Sequence, residues 1–156
     1  MSEAWTKDIQ LLLSQTKVAF LSTQGTLGPE SSMAPFAIFE GKALLHLSQL
    51  AKHSKNIQQT PNIGLVVCTP ETKGTSPLAL PRISFTGRIE KVSPTNLVKA
   101  KSCYLAAIPD ALLLFDFTDF TLYQLCINEV YWVGGFGSAR KVPIETWLEL
   151  SKTHRS

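Results

Sequence analysis

The sequence predicts a mainly β fold, with six or seven short antiparallel strands closed into a barrel or sandwich and α-helices flanking it. Two observations carry this. Short apolar, β-branched runs recur along the chain, joined mostly by turns rich in glycine, proline or asparagine. Helical periodicity appears only in brief stretches between them. At 156 residues, with 44% apolar and 17% charged, the chain suits one domain with one core, taken as 1–156.

The elements follow in order. Ser2 can cap a first helix, taken as 3–15, in which Trp5, Ile9, Leu12 and Leu13 recur at helical spacing. Residues 18–23 read as a strand and 24–29 as a turn full of breakers. A second strand is expected over 31–39, a tight hairpin at Glu40-Gly41-Lys42, and a third strand over 43–48. Short turns between these three predict an antiparallel meander.

Residues 49–60 are helix-like and stopped by Pro61, and 62–68 read as a buried strand. Pro70, Gly74, Pro77 and Pro81 make 69–81 a loop. The alternation of 82–92 predicts a long strand, after which Ser93-Pro-Thr-Asn96 opens a helix carrying Leu97, Ala100, Tyr104 and Leu105. Two more strands, 118–127 and 130–136, flank Asn128-Glu129. A last helix, taken as 143–153, presents Ile144, Trp147 and Leu148.

The net charge of +3 is spread over scattered basic residues, which argues against a nucleic-acid surface and suits a small anionic ligand. Cys68, Cys103 and Cys126 stand far apart with no Cys-x-x-Cys pair, and read as reduced, mostly buried thiols of a cytoplasmic protein. The N-terminus is polar, and no apolar run reaches the roughly 20 residues of a membrane span, so a soluble chain without membrane partners is expected.

The segment richest in chemistry is Leu47-Ser-Gln-Leu-Ala-Lys-His-Ser-Lys-Asn56, where a strand ends and a helix begins. Unpaired N–H groups at a helix start attract an anion, and Lys52, His53 and Lys55 add donors there; the same residues also fit a solvated basic face. Arg82 opens a strand, where its planar fork could bond a flavin carbonyl or a phosphate, or simply sit in a surface ion pair. Gly134-Gly-Phe-Gly137 ends a strand and lacks the Gly-Lys-Ser/Thr of a phosphate loop. His46, His53 and His154 lie in different elements, so no metal site is expected. His46 reads as a satisfied core or interface residue, and His154 as solvated tail or a haem ligand. Asp110, Asp116 and Asp119 read as loop and cap residues. No Gly-x-Ser-x-Gly elbow is present, and nothing nominates a hydrolase.

Seven short motifs in order carry a resemblance: Phe20-Leu-Ser-Thr23, Ser32-Met-Ala-Pro-Phe36, Leu47–Asn56, Pro61-Asn-Ile-Gly-Leu65, Pro81-Arg-Ile-Ser-Phe-Thr-Gly87, Asp119-Phe-Thr-Leu-Tyr-Gln-Leu125 and Gly134–Gly137. Together they resemble the pyridoxamine 5'-phosphate oxidase-like family of FMN-binding split barrels, closest to its haem-utilisation, haem oxygenase-like branch. The resemblance implies a split β-barrel homodimer with FMN at the subunit interface. It makes Lys52 and His53 phosphate ligands and Ser48 a hydroxyl donor. Ser32, Met33 and Ala34 would run beside the flavin ring, Arg82 would reach its edge, and Phe136 would close the site. The implied activity is an FMN-dependent oxidoreductase of unassigned substrate, with catalytic residues unassigned. One alternative is haem binding or degradation on the same fold, through His46 or His154. Another is a non-catalytic flavin-binding module. The true oxidase's Arg-x-x-Leu-Leu-Lys and Arg-x-His motifs are missing, so the resemblance does not extend to pyridoxamine phosphate as substrate.

Overall fold

The protein is described by a computed structural model over residues 3–152. Eight strands form one antiparallel sheet, in place of the six or seven expected: β1 Val18–Gln24, β2 Pro29–Pro35, β3 Ala37–Phe39, β4 Lys42–Ser48, β5 Asn62–Cys68, β6 Arg82–Lys91, β7 Phe120–Val133 and β8 Ala139–Val142. Four α-helices accompany it: α1 Ala4–Gln15, α2 Lys52–Gln59, α3 Leu97–Ala107 and α4 Ile144–Lys152. A 3-10 turn over Pro109–Asp116 follows α3. The predicted cap Ser2 lies outside the described residues; α1 starts from Glu3.

The sheet order is β2-β1-β5-β6-β7-β4-β3, with β8 added beside β7. Both hairpins of the expected meander form, β1 with β2 and β3 with β4, but its middle strand is divided between them. The single strand anticipated over 31–39 breaks at Pro35-Phe36, because proline offers no N–H to a ladder and Phe36 turns into the core at 2% exposure. The Phe36 N–H instead donates to the Lys17 carbonyl at 2.9 Å. β2 and β3 therefore end up at opposite ends of the strand order, although one residue joins them. The sheet curls into a half-barrel whose two edges are brought together by Phe36 without hydrogen-bonding each other.

The two strands expected around Asn128-Glu129 are one 14-residue strand, β7. Thr86 pairs with Glu129 and Gly87 with Ile127, which leaves Asn128 as the extra residue of a bulge rather than a turn. Gly87 permits it: a Cβ there would press into the Cys126 carbonyl oxygen.

Alternation on β1, β5 and β6 sends Leu21, Leu65, Ile83 and Phe85 inward, where they meet Ile9, Leu12 and Leu13 of α1. Trp147 of α4 packs its ring 4.9 Å from Phe85 and donates its indole N–H to the Gly41 carbonyl at 2.9 Å. β4 is buried on both faces. Leu45 and Leu47 point into the main core, while Leu44 joins Val92, Ala100, Tyr104, Ala111 and Leu122 in a second cluster beneath α3 and the 3-10 turn. The three cysteines are free and only half-buried, less enclosed than expected. Among the described residues no helix is long and apolar enough to cross a membrane.

Candidate functional site

The burial of β4 on both faces places a histidine in an unusual setting. His46 is 7% exposed, and its ring lies flat on Phe115 at 3.8 Å between centroids and 8° between planes. Tyr104 meets it edge-on at 5.8 Å, and Phe120 lies at 5.2 Å. Its Nδ1 is buried and, among the described residues, has no hydrogen-bond partner, so this is not the satisfied core histidine expected from the sequence. Burial, then the Lys101 charge, lower its pKa to about 4, so the imidazole is neutral at pH 7. Burial also pushes the Tyr104 phenol up to about 12, against a backbone hydrogen bond at His46 and with a further push from Asp110.

His46 lines a cavity of about 340 Å³ between the end of β2, the end of β4, the start of α2 and the 3-10 turn. Met33, Ala34, Pro35, Leu114 and Phe120 give it apolar walls, with Ser48, His53 and Asp110 as polar groups. The structure thus brings together four predicted site residues, Met33, Ala34, Ser48 and His53. Ser32 stands beside them, its hydroxyl 2.9 Å from His53 Nδ1. Burial holds the His53 pKa below its ordinary value.

Lys52 is placed differently. Its Nζ lies 3.5 Å from the Glu30 carboxylate, and the Lys52 side chain is exposed. Glu30 also accepts from Asn56 Nδ2 at 2.8 Å, and the same amide donates to Thr23 Oγ1 at 3.0 Å. Ser48 donates its hydroxyl to the Asp119 carboxylate at 3.0 Å. Arg82 and Phe136 do not line this cavity within one chain. Arg82 donates to the Leu80 carbonyl at 3.2 Å, and Phe136 projects from the β7–β8 turn at 68% exposure. His154 lies outside the described residues.

Sequence reasoning missed the wall formed by Tyr104, Ile108 and the 3-10 turn, and the Phe115 ring behind His46. Its signal was available: Ala111-Leu-Leu-Leu-Phe115 is an apolar run after Pro109, bounded by acids and too short for a typical helix.

Next to the cavity, the outward face of the sheet carries a row of partners in register: Met33, Phe20, Val66, Ser84 and Tyr131. Met33, Phe20 and Tyr131 are 55%, 49% and 44% exposed. The face holds a shallow depression of about 590 Å³, and Met33 lines both it and the His46 cavity.

Comparison with known proteins gives a consistent set of similarities. The chain is 30% identical over 112 residues to the chloroplastic heme oxygenase HOZ of Arabidopsis thaliana, covering 71% of this chain and 33% of that protein. It is 24% identical over 157 aligned positions to heme oxygenase HutZ of Vibrio cholerae, covering 95% of this chain and 88% of that one. Its fold superposes on a heme binding protein from Mycobacterium smegmatis with a TM-score of 0.85 at 25% identity, covering 96% of this chain and 62% of the other. The chain thus spans about a third of the chloroplastic relative. Residues 12–149 match the family described as CREG, beta-barrel, and the half-barrel sheet with flanking helices agrees with it; the chain belongs to that family.

Proposed function

We propose that this protein binds haem in the manner of the haem oxygenase-like relatives, in the cavity walled by β2, β4 and the 3-10 turn. The observation that carries this is the buried His46 Nδ1, which lacks a hydrogen-bond partner among the described residues and stands in an apolar, aromatic setting. Leaving a buried polar nitrogen unsatisfied costs about 1–3 kcal/mol, and a neutral imidazole is the form that ligates a metal. The chemistry of the lining suits haem: His46 would be the iron ligand, Met33, Pro35, Leu114 and Phe120 the apolar walls, and Ser48 and His53 the polar rim. Bound haem supplies redox-active iron, while the protein supplies ligation, burial and orientation.

The flavin reading rests on cations at the start of α2. Lys52 already faces Glu30 there, and burial favours neutral His53. That supports haem over FMN as the ligand. The apolar row on the sheet supports a homodimer through this face, with the partner copy extending the Met33 wall of the cavity.

The test is a haem titration and a separate FMN titration of the purified protein. A saturable Soret band is expected, weakened at least about tenfold by His46→Ala. If His154→Ala alone removes the band, the ligand assignment is wrong although haem binding stands. Retained flavin with no Soret band overturns the haem reading.

A further inference from the structure

The start of α2 has the ingredients of a phosphate cradle, yet the side chains of Ser48, Lys52, His53 and Ser54 are already engaged. Ser48 takes two of the local backbone donors: its hydroxyl oxygen accepts from the Leu50 N–H at 3.2 Å, and its carbonyl from the Ala51 N–H at 3.2 Å. The Ser48 hydroxyl proton goes to Asp119. The Lys52 ammonium faces Glu30, and the Ser54 hydroxyl donates to the Ser48 carbonyl at 2.6 Å. His53 is tied to Ser32.

Glu30 is the anchored member of its pair. It sits opposite Thr23 in the β1–β2 register, and Asn56 bridges its carboxylate to the Thr23 hydroxyl. The Asn56 hydrogen bond, then the Lys52 charge, hold the carboxyl below its ordinary range against some desolvation, so it is ionised at neutral pH. Two carboxylates, Glu30 and Asp119, thus border a helix start where the positive charges are Lys52 and Lys55.

We infer that Glu30 and Asp119 are specificity-determining residues. They occupy the Lys52 ammonium and the Ser48 hydroxyl, and make the start of α2 reject dianionic phosphate ligands. A phosphate brought here would have to displace Glu30 from Lys52 and meet both carboxylates at short range, where like charges repel. The inference rests on the haem reading only for what the site prefers instead; the exclusion of phosphate stands on the geometry around α2.

The experiment compares FMN with riboflavin, which carries the same ring without the phosphate. Both are titrated by flavin fluorescence into the unaltered protein, Glu30→Gln and the double variant Glu30→Gln/Asp119→Asn. FMN affinity is expected to rise about tenfold in the double variant, with a smaller rise in Glu30→Gln, while riboflavin affinity does not change. Adding Lys52→Ala to the double variant should cancel the gain. Equal gains for riboflavin and FMN, no gain for FMN, or tight FMN binding by the unaltered protein would each overturn the inference. If the double variant does not fold, Glu30→Gln alone decides. A Soret titration of the same proteins separates the two readings: an FMN gain without any Soret band removes haem and leaves the selectivity intact.

Discussion

His46 gives the clearest consequence at the scale of a single residue. Its pKa falls from 6.5 in the unfolded chain to about 4 when buried, so between those values the unfolded state binds more protons. Stability should therefore be full above pH 6.5 and decline as the pH drops toward 4, by about 3 kcal/mol at most. His53, lowered by burial as well, acts in the same direction. Urea denaturation at pH 7.5, 5.5 and 4.5 measures the decline, and His46→Phe should flatten it while raising stability at pH 4.5. An unchanged slope in that variant would assign the pH dependence elsewhere. Much of the site was legible at this scale. Met33, Ala34, Ser48 and His53 converge because each lies at the end of a strand or the start of the following helix. Their antagonists were not legible. Glu30 reaches Asn56 across 26 residues and Asp119 reaches Ser48 across 71, separations that no local spacing encodes.

At the scale of elements, strand and helix positions were read closely, and the errors concentrate where backbone chemistry overrides pattern. Pro35-Phe36 looked like the middle of one strand, yet it divides two sheet edges. Asn128-Glu129 looked like a turn and is a bulge within β7. That bulge depends on Gly87, whose added Cβ would press on backbone rather than on a side chain that could move. Gly87→Ala should therefore destabilise the protein by about 3 kcal/mol, seen as a lower urea midpoint with an unchanged slope. A loss below about 0.5 kcal/mol would mean that the β6–β7 ladder shifts to accept the methyl group. Gly41 is tight for a different reason: its φ is +75°, and the atom an added Cβ would press on is the end of the Leu148 side chain, with Ser151 and Trp147 at ordinary contact.

For the molecule as a whole, the proposed dimer makes the sheet row its most sensitive surface. Phe20→Glu, at the centre of the Met33–Phe20–Val66 register, should convert the protein to a monomer in sedimentation velocity without altering its far-UV circular dichroism. A dimer that survives the substitution would have to use another face. The mainly β class was legible in the sequence because short apolar runs set it, whereas the strand order was not, since pairing across the sheet leaves no local trace. That order also bears on how the chain is made. β4 finds its second sheet neighbour in β7, and the contact of Ser48 with Asp119, the residue just before β7, closes over 71 residues. At about 5–20 residues per second, a ribosome needs roughly 4–14 seconds to synthesise that interval. Throughout it, the β3–β4 hairpin waits with an open edge, which makes the nascent chain a natural client for chaperones until β7 emerges.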